Sequence, residues 1–164
     1  MKDFLKEQLE RTNYWLSFAE AKNAALVALN IAVIAVCTQI DFLDVTMQVL
    51  LCVLFIASTF CCLKSFSPKI NNKATGDDTI ATENYNLIFY ADVVKIGNAD
   101  KYLDKLQENY EFEFHEKEKN ECRDLAEEII INSEITMSKY RLFKKAIKID
   151  MITILVFIVC LIIA

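Results

Sequence analysis

The sequence predicts an all-α multi-pass membrane protein. An N-terminal helix is expected to run into a two-helix transmembrane hairpin. A small helical cytoplasmic region should then precede a long helix that continues into a C-terminal transmembrane segment. Hydrophobic residues make up 54% of the 164 residues, yet charged residues reach 25%, so the two classes must be segregated along the chain. All 18 Lys and Arg lie in 1–23 or 64–148, and none lies in 24–63 or 149–164.

The composition also excludes several classes of protein. With 2 Gly and 1 Pro, the chain lacks a Gly-rich phosphate loop and the turns that a β-rich fold needs. A formal net charge of −5 argues against a nucleic-acid-binding protein. Because His115 is the only histidine and no cysteine pair outside the apolar runs has zinc spacing, no metal site is indicated. We therefore expect neither a resident cofactor nor an enzyme.

The first two apolar runs predict a helical hairpin. Ala24–Ile40 and Val45–Leu63 carry no charge, and the second, at about 1.5 Å per helical residue, is long enough for a hydrocarbon core of about 30 Å. The residues between the two runs, 41–44, suffice only for a turn. We predict transmembrane helices over 24–43 and 44–64, since only a helix satisfies its own backbone in lipid.

A third transmembrane helix is predicted over 149–164. The uncharged run Met151–Ala164 is short for a span. It is nevertheless strongly apolar, and it follows a basic cluster whose side chains can extend to the membrane surface. This cluster consists of Lys139, Arg141, Lys144, Lys145 and Lys148.

The distribution of basic residues predicts the orientation. The hairpin turn has two Asp and no Lys or Arg, whereas the flanks of all three apolar runs on the other side are basic. By the positive-inside rule, 1–23 and 65–148 are cytoplasmic and the C-terminus lies across the membrane. Membrane lipid is thus an expected partner.

The cytoplasmic segments are predicted to be mostly helical. Residues 2–23 indicate an amphipathic helix that enters the first span directly, and Ser65–Asn84 indicates a loop, either a linker or a lid. Tyr85–Ile96 is compatible with a helix or a strand. Helical spacing begins again at Asp100, and Glu116–Ile149 predicts a long helix that continues into the third run. A brief extended piece around 110–116 is also possible from the period-two alternation there.

Two groups of residues are candidates for functional contacts. Ala24, Ala28 and Ala32 lie four apart, a spacing that lets helix backbones approach, either within the hairpin or between chains. Asp92, Asn132, Ser133, Lys139, Tyr140 and Arg141 form a candidate ligand site. Lys and Arg would supply charge for a phosphate, and Tyr would stack on a base. The alternative interpretation makes Lys139 and Arg141 interfacial anchors, with Asn132 and Ser133 in helix contacts.

Five segments are distinctive as a set: Asn13–Lys22, Ser65–Lys69, Asn86–Val93, Ile131–Ile135 and Lys139–Phe143. Together they resemble the transmembrane effectors of Pycsar antiphage systems, and the resemblance covers nearly the whole chain. The chain departs from the family at Glu20, where members often have Asp, and at Ala91, where they often have Gly.

The resemblance implies a specific function. Such effectors sit in the bacterial inner membrane, beside a partner cyclase that makes cyclic CMP or cyclic UMP after phage infection. The nucleotide is expected to activate the effector, which assembles as a homo-oligomer and impairs the membrane, so that the infected cell stops growing or dies. Two alternatives remain open: a small membrane anchor or adaptor that recruits another protein without ligand gating, and a constitutive pore.

Overall fold

The computed structural model describes residues 1–40, 43–67, 85–112 and 116–163; only the backbone of residues 116, 161 and 163 is described. Every regular element in these ranges is helical. The elements are α1 (Lys2–Cys37), α2 (Val45–Ser65), α3 (Tyr90–Ile96), α4 (Ala99–Tyr110), a short 3-10 helix (Glu116–Glu118) and α5 (Lys119–Ile163).

Local hydrogen bonds fix where the short connections begin and end. Asp44 caps the start of α2, because its carboxylate accepts from the Thr46 backbone N–H at 3.1 Å. Gly97 ends α3 in the left-handed region at φ 63°, which glycine adopts at little cost. Asn98 then caps α4 by accepting from Lys101 N–H at 3.1 Å.

The long helices agree with the sequence predictions. α1 runs without a break from the amphipathic N-terminal segment through the first apolar run, and α5 continues through the third run. The ambiguous segment Tyr85–Ile96 is a turn followed by α3. Most of the predicted loop 65–84, the first half of the hairpin turn and His115 lie outside the described residues.

The chain divides into two compact units, and α1 and α5 contribute to both. Unit 1 comprises Met1–Phe18 and Lys69–Ser138, and unit 2 comprises Ala19–Pro68 and Lys139–Ala164.

Unit 1 has a hydrophobic core built from α1, α3, α4 and α5. Tyr102, Leu106 and Ile129 are fully buried in it, and the Tyr102 hydroxyl donates to the Leu87 carbonyl at 2.8 Å. Gln8 is buried as well, and its amide donates to the Ile88 carbonyl at 2.6 Å. These two bonds satisfy carbonyls of the turn before α3, so α1 and α4 hold that turn in place.

In unit 2, α1, α2 and α5 pack together with an apolar exterior. Leu26, Cys62 and Ala146 form one buried cluster, and Leu51 and Phe55 belong to another. Large apolar side chains are exposed on all three helices, as expected for helices that face lipid. They include Leu29, Ile31, Val49, Val53, Ile56, Phe60, Ile152, Leu155 and Ile158.

Two helices, α1 and α2, are long and apolar enough to cross a membrane. This finding agrees with the predicted hairpin. Among the described residues, α5 is not one of the two, and its apolar run after Asp150 is shorter than the about 20 residues that a bilayer needs. The third span therefore remains a prediction.

Candidate functional site

Unit 2 contains two polar layers in which α1, α2 and α5 meet. Asn23, Ser65 and Lys139 form the Lys139 layer, and Asn30, Ser58 and Asp150 form the Asp150 layer. Asn23 and Asn30 are seven residues apart, as are Ser58 and Ser65, so the layers are separated by about 10 Å along these helices. A seven-residue spacing returns a helix to the same face after two turns.

In the Lys139 layer, a buried lysine caps a neighbouring helix. The Lys139 side chain is 10% exposed, and its Nζ donates to the Ser65 carbonyl, in the last turn of α2, at 2.7 Å. A cation at this position satisfies a terminal carbonyl and opposes the negative end of the helix dipole. Glu20, 48% exposed, completes the site with a carboxylate oxygen 3.1 Å from Nζ. The Asn23 amide donates to the Ala19 carbonyl at 2.9 Å and to the Lys139 carbonyl at 3.4 Å.

In the Asp150 layer, a chain of hydrogen bonds joins the three helices. Asn30 Nδ2 donates to Ser58 Oγ at 3.1 Å, and Ser58 Oγ donates to the Ala146 carbonyl at 3.1 Å. The Asp150 carboxyl faces Ser58 and Asn30, but neither of its oxygens has a hydrogen-bond partner among the described residues. Polar groups inside an apolar helix bundle are costly, and they mark functional positions in membrane proteins.

Unit 1 carries an open polar cavity of about 510 Å³ between α4 and the start of α5. Arg123 and Lys119 lie one turn apart on α5, and the Arg123 guanidinium contacts the Asp100 carboxylate at 3.3 Å. Its volume falls within the roughly 300–1,000 Å³ of small-molecule sites. The polar lining residues are Asp100, Asp104, Gln107, Lys119, Asn120 and Arg123.

The six predicted ligand residues fall in both units. In unit 1, Asp92 accepts from its neighbours Lys95, at 2.8 Å, and Asn86 N–H, at 3.3 Å. Asn132 donates to Asn13 at 2.9 Å, so α5 contacts α1 there. Ser133 is fully buried, and its hydroxyl has no partner among the described residues. Their role in ligand binding remains a prediction.

The other three predicted residues belong to unit 2. Lys139 caps α2, as described above, and is a buried side chain. Tyr140 lies beside Lys22, whose Nζ is 5.4 Å from the centre of the phenol ring, within range of a cation–π interaction. Arg141 is exposed. A phosphate contact by any of them remains a prediction.

Ala24, Ala28 and Ala32 are exposed on α1. The helix instead uses a different face, with Asn23, Leu26 and Asn30, for packing inside unit 2. Both interpretations of the small-residue stripe, packing within the hairpin and assembly between chains, remain predictions.

Sequence reasoning missed Glu20 as the partner of Lys139, Asp150 as a buried carboxyl, and the cavity around Arg123. The sequence contained a signal for two of these three features, the buried Asp150 and the cavity. Asp150 is a single acid at the edge of an apolar run, and Lys119 and Arg123 have the i, i+4 spacing of side chains on one helix face.

The structure thus defines the class of protein: its described elements are all helical, with two candidate transmembrane helices, a polar cavity and a bundle that has polar layers in its interior. A family model described as the Pycsar effector protein domain, PycTM, matches residues 4–164. The chain belongs to this family, as the sequence motifs predicted. No curated protein and no solved structure matches it. Membership supports a role as an effector of antiphage defence at a membrane, in a system with a partner cyclase.

Proposed function

We propose that the protein is an inner-membrane effector that a cyclic pyrimidine nucleotide, cyclic CMP or cyclic UMP, activates after phage infection. The partner cyclase supplies the nucleotide, and the activated effector impairs the membrane so that the infected cell stops growing or dies. The observation that carries the proposal is the Pycsar effector match across residues 4–164, in a chain with two helices able to cross a membrane.

The cavity between α4 and α5 is the better candidate for the nucleotide site. A cyclic monophosphate carries one negative charge, which Arg123 and Lys119 can pair with. The Gln107 and Asn120 amides can both donate to and accept from the edge of a pyrimidine. On this proposal the phosphate competes with the Asp100 carboxylate for the Arg123 guanidinium, because the two now lie 3.3 Å apart.

The proposed output is a change in unit 2. α5 supplies Arg123 to the cavity and Asp150 to the bundle interior, so it is the element through which binding would act. A nucleotide can shift the bundle only by as much as its affinity differs between the closed and open states. The exposed small-residue face of α1 would then bring chains together as a homo-oligomer.

The proposed topology keeps the sequence-based orientation. Residues 1–23 and 65–148 face the cytoplasm, where the nucleotide is made, and α5 crosses the bilayer so that the C-terminus is periplasmic. Asp150 faces the bundle interior, where an acidic side chain is tolerated in a membrane. This burial supports a third span despite the short apolar run that follows.

Nucleotide binding to the detergent-solubilised protein tests both the function and the site. Isothermal titration with cyclic CMP, cyclic UMP, cyclic AMP and cyclic GMP should give heat of binding with a pyrimidine nucleotide and not with the purines. Arg123→Ala should weaken binding at least tenfold, since a charge-assisted phosphate contact contributes about 1.5–3 kcal/mol.

Arg141→Ala is the matched control, because it removes the same side chain from the same helix outside the cavity. Loss of binding in Arg141→Ala or Lys139→Ala alone would place the site where the sequence first suggested. Absence of binding by the folded parent protein to either pyrimidine nucleotide would contradict the proposed function itself.

A further inference from the structure

The Asp150 layer contains buried acceptors that receive no hydrogen bond, on Asp150 and on Asn30. Asp150 is 5% exposed and Asn30 is fully buried. Both Asp150 oxygens and the Asn30 Oδ1 have no hydrogen-bond partner in the part of the chain that the structure describes. Ser58 does not supply a donor, because its single hydroxyl hydrogen is used by the Ala146 carbonyl.

The surroundings of Asp150 disfavour a negative charge. α1 carries no ionisable side chain between residues 24 and 36, and the titratable group that faces Asp150 from α2 is the thiol of Cys62. On α5, Lys148 is the basic residue nearest to Asp150 in the sequence, and its side chain is exposed. A carboxylate here would be buried without a cation beside it and without a hydrogen bond to either oxygen as the described side chains are placed, which is among the most costly arrangements in a protein interior.

One proton would satisfy both acceptors. We propose that Asp150 is protonated in the closed bundle and that its carboxyl O–H donates to Asn30 Oδ1. This bond would join α5 to α1, beside the existing Asn30–Ser58–Ala146 chain that joins all three helices. The Asp150 layer is then a proton-binding site that holds the bundle closed.

The site also provides a dependence on pH. When the helices separate, water reaches Asp150 and the ionised form becomes favourable. The open state therefore binds fewer protons than the closed state, so a rise in pH favours opening. This consequence rests on the proposed membrane-impairing function, whereas the protonation itself does not.

Infrared spectroscopy tests the protonation directly, without nucleotide or leakage. The difference spectrum between the parent protein and Asp150→Asn, at neutral pH in bilayers, should contain the C=O band of a protonated carboxylic acid, with a downshift in D₂O. The matched control is Asp92→Asn, which removes a half-buried carboxylate paired with Lys95 and should remove only carboxylate bands. Carboxylate bands alone in the Asp150 difference spectrum, including those of a carboxylate bound to a small cation, would overturn the proposal.

A second variant tests the acceptor and does not depend on the folding of Asp150→Asn. In Asn30→Leu the acid loses its acceptor, so the same C=O band should move to the higher frequency of a carboxyl group without a hydrogen bond. The band can be assigned in the parent protein by ¹³C labelling of aspartate. An unchanged band in folded Asn30→Leu would contradict the Asp150–Asn30 bond.

The pH dependence is measured on dye-loaded liposomes at fixed nucleotide. Leakage through the parent protein should rise with pH, whereas Asp150→Asn, a neutral mimic of the acid, should give a flat profile. Equal pH dependence in the two proteins would overturn the gating role. Absence of leakage at every pH, together with the acid C=O band, would count against the proposed function and leave the proton site intact.

Discussion

Replacement of Lys139 by methionine tests whether the Lys139 layer stabilises the bundle. Methionine retains most of the aliphatic stem and so most of its packing, but it removes the cation that caps α2. The lost hydrogen bond from Nζ to the Ser65 carbonyl at 2.7 Å involves a charged donor and is worth about 1.5–3 kcal/mol. The ion pair with half-exposed Glu20 adds no more than about 1 kcal/mol.

Relief of the cost of burying the ammonium offsets part of this loss, so we expect Lys139→Met to lower the free energy of unfolding by about 2 kcal/mol. The assay is chemical denaturation in mixed micelles, followed by far-ultraviolet circular dichroism. Lys145→Met is the matched control, because Lys145 is exposed on the same helix, and it should change stability by less than about 0.5 kcal/mol. Equal stability of the two variants would refute the capping role of Lys139.

Three further predictions concern other parts of the molecule. Tyr102→Phe leaves the Leu87 carbonyl without its donor and should lower the free energy of unfolding by about 1–2 kcal/mol. Burial raises the pKa of the Tyr102 phenol, so above about pH 10 the folded state keeps a proton that the unfolded chain loses. Denaturation at increasing pH should therefore show the stability of the parent protein falling above about pH 10. The stability of Tyr102→Phe should depend less on pH. Leu106→Ala, in the core of unit 1, should cost about 2–5 kcal/mol in the same denaturation assay, whereas the exposed Glu108→Ala should stay within about 0.5 kcal/mol of the parent. Ala28→Leu should preserve nucleotide binding but block killing in cells that produce the cyclase, because added bulk prevents close helix approach; retained killing would contradict assembly through this face.

The helices could be predicted because their signals are local. Uncharged runs and three-to-four-residue spacing are properties of neighbouring residues, and they indicated α1, α2 and the continuous α5 directly. The segment Tyr85–Ile96 was ambiguous because a short apolar run suits either a helix or a strand. In the structure the segment is a turn followed by α3, which ends at Gly97 before Asn98 caps α4.

The polar layers could not be predicted because they depend on how three helices are rotated and aligned. Lys139 contacts Ser65, and Asn30 contacts Ser58, only because α2 runs antiparallel to α1 and α5 in one particular register. Sequence analysis singled out Lys139, but periodicity alone does not show which face of one helix meets which face of another. The cavity around Arg123 could not be predicted for the same reason, since four of its seven lining residues come from α4.

Liposome leakage is the measurement that tests the central claim most directly. The purified protein, shown to be folded and inserted in dye-loaded vesicles, is exposed separately to cyclic CMP, cyclic UMP, cyclic AMP and cyclic GMP. We predict dye release with a pyrimidine nucleotide and none with the purine nucleotides or without nucleotide. Release without any nucleotide would indicate a constitutive pore, and no release with any of the four would contradict ligand gating and favour a membrane anchor or adaptor.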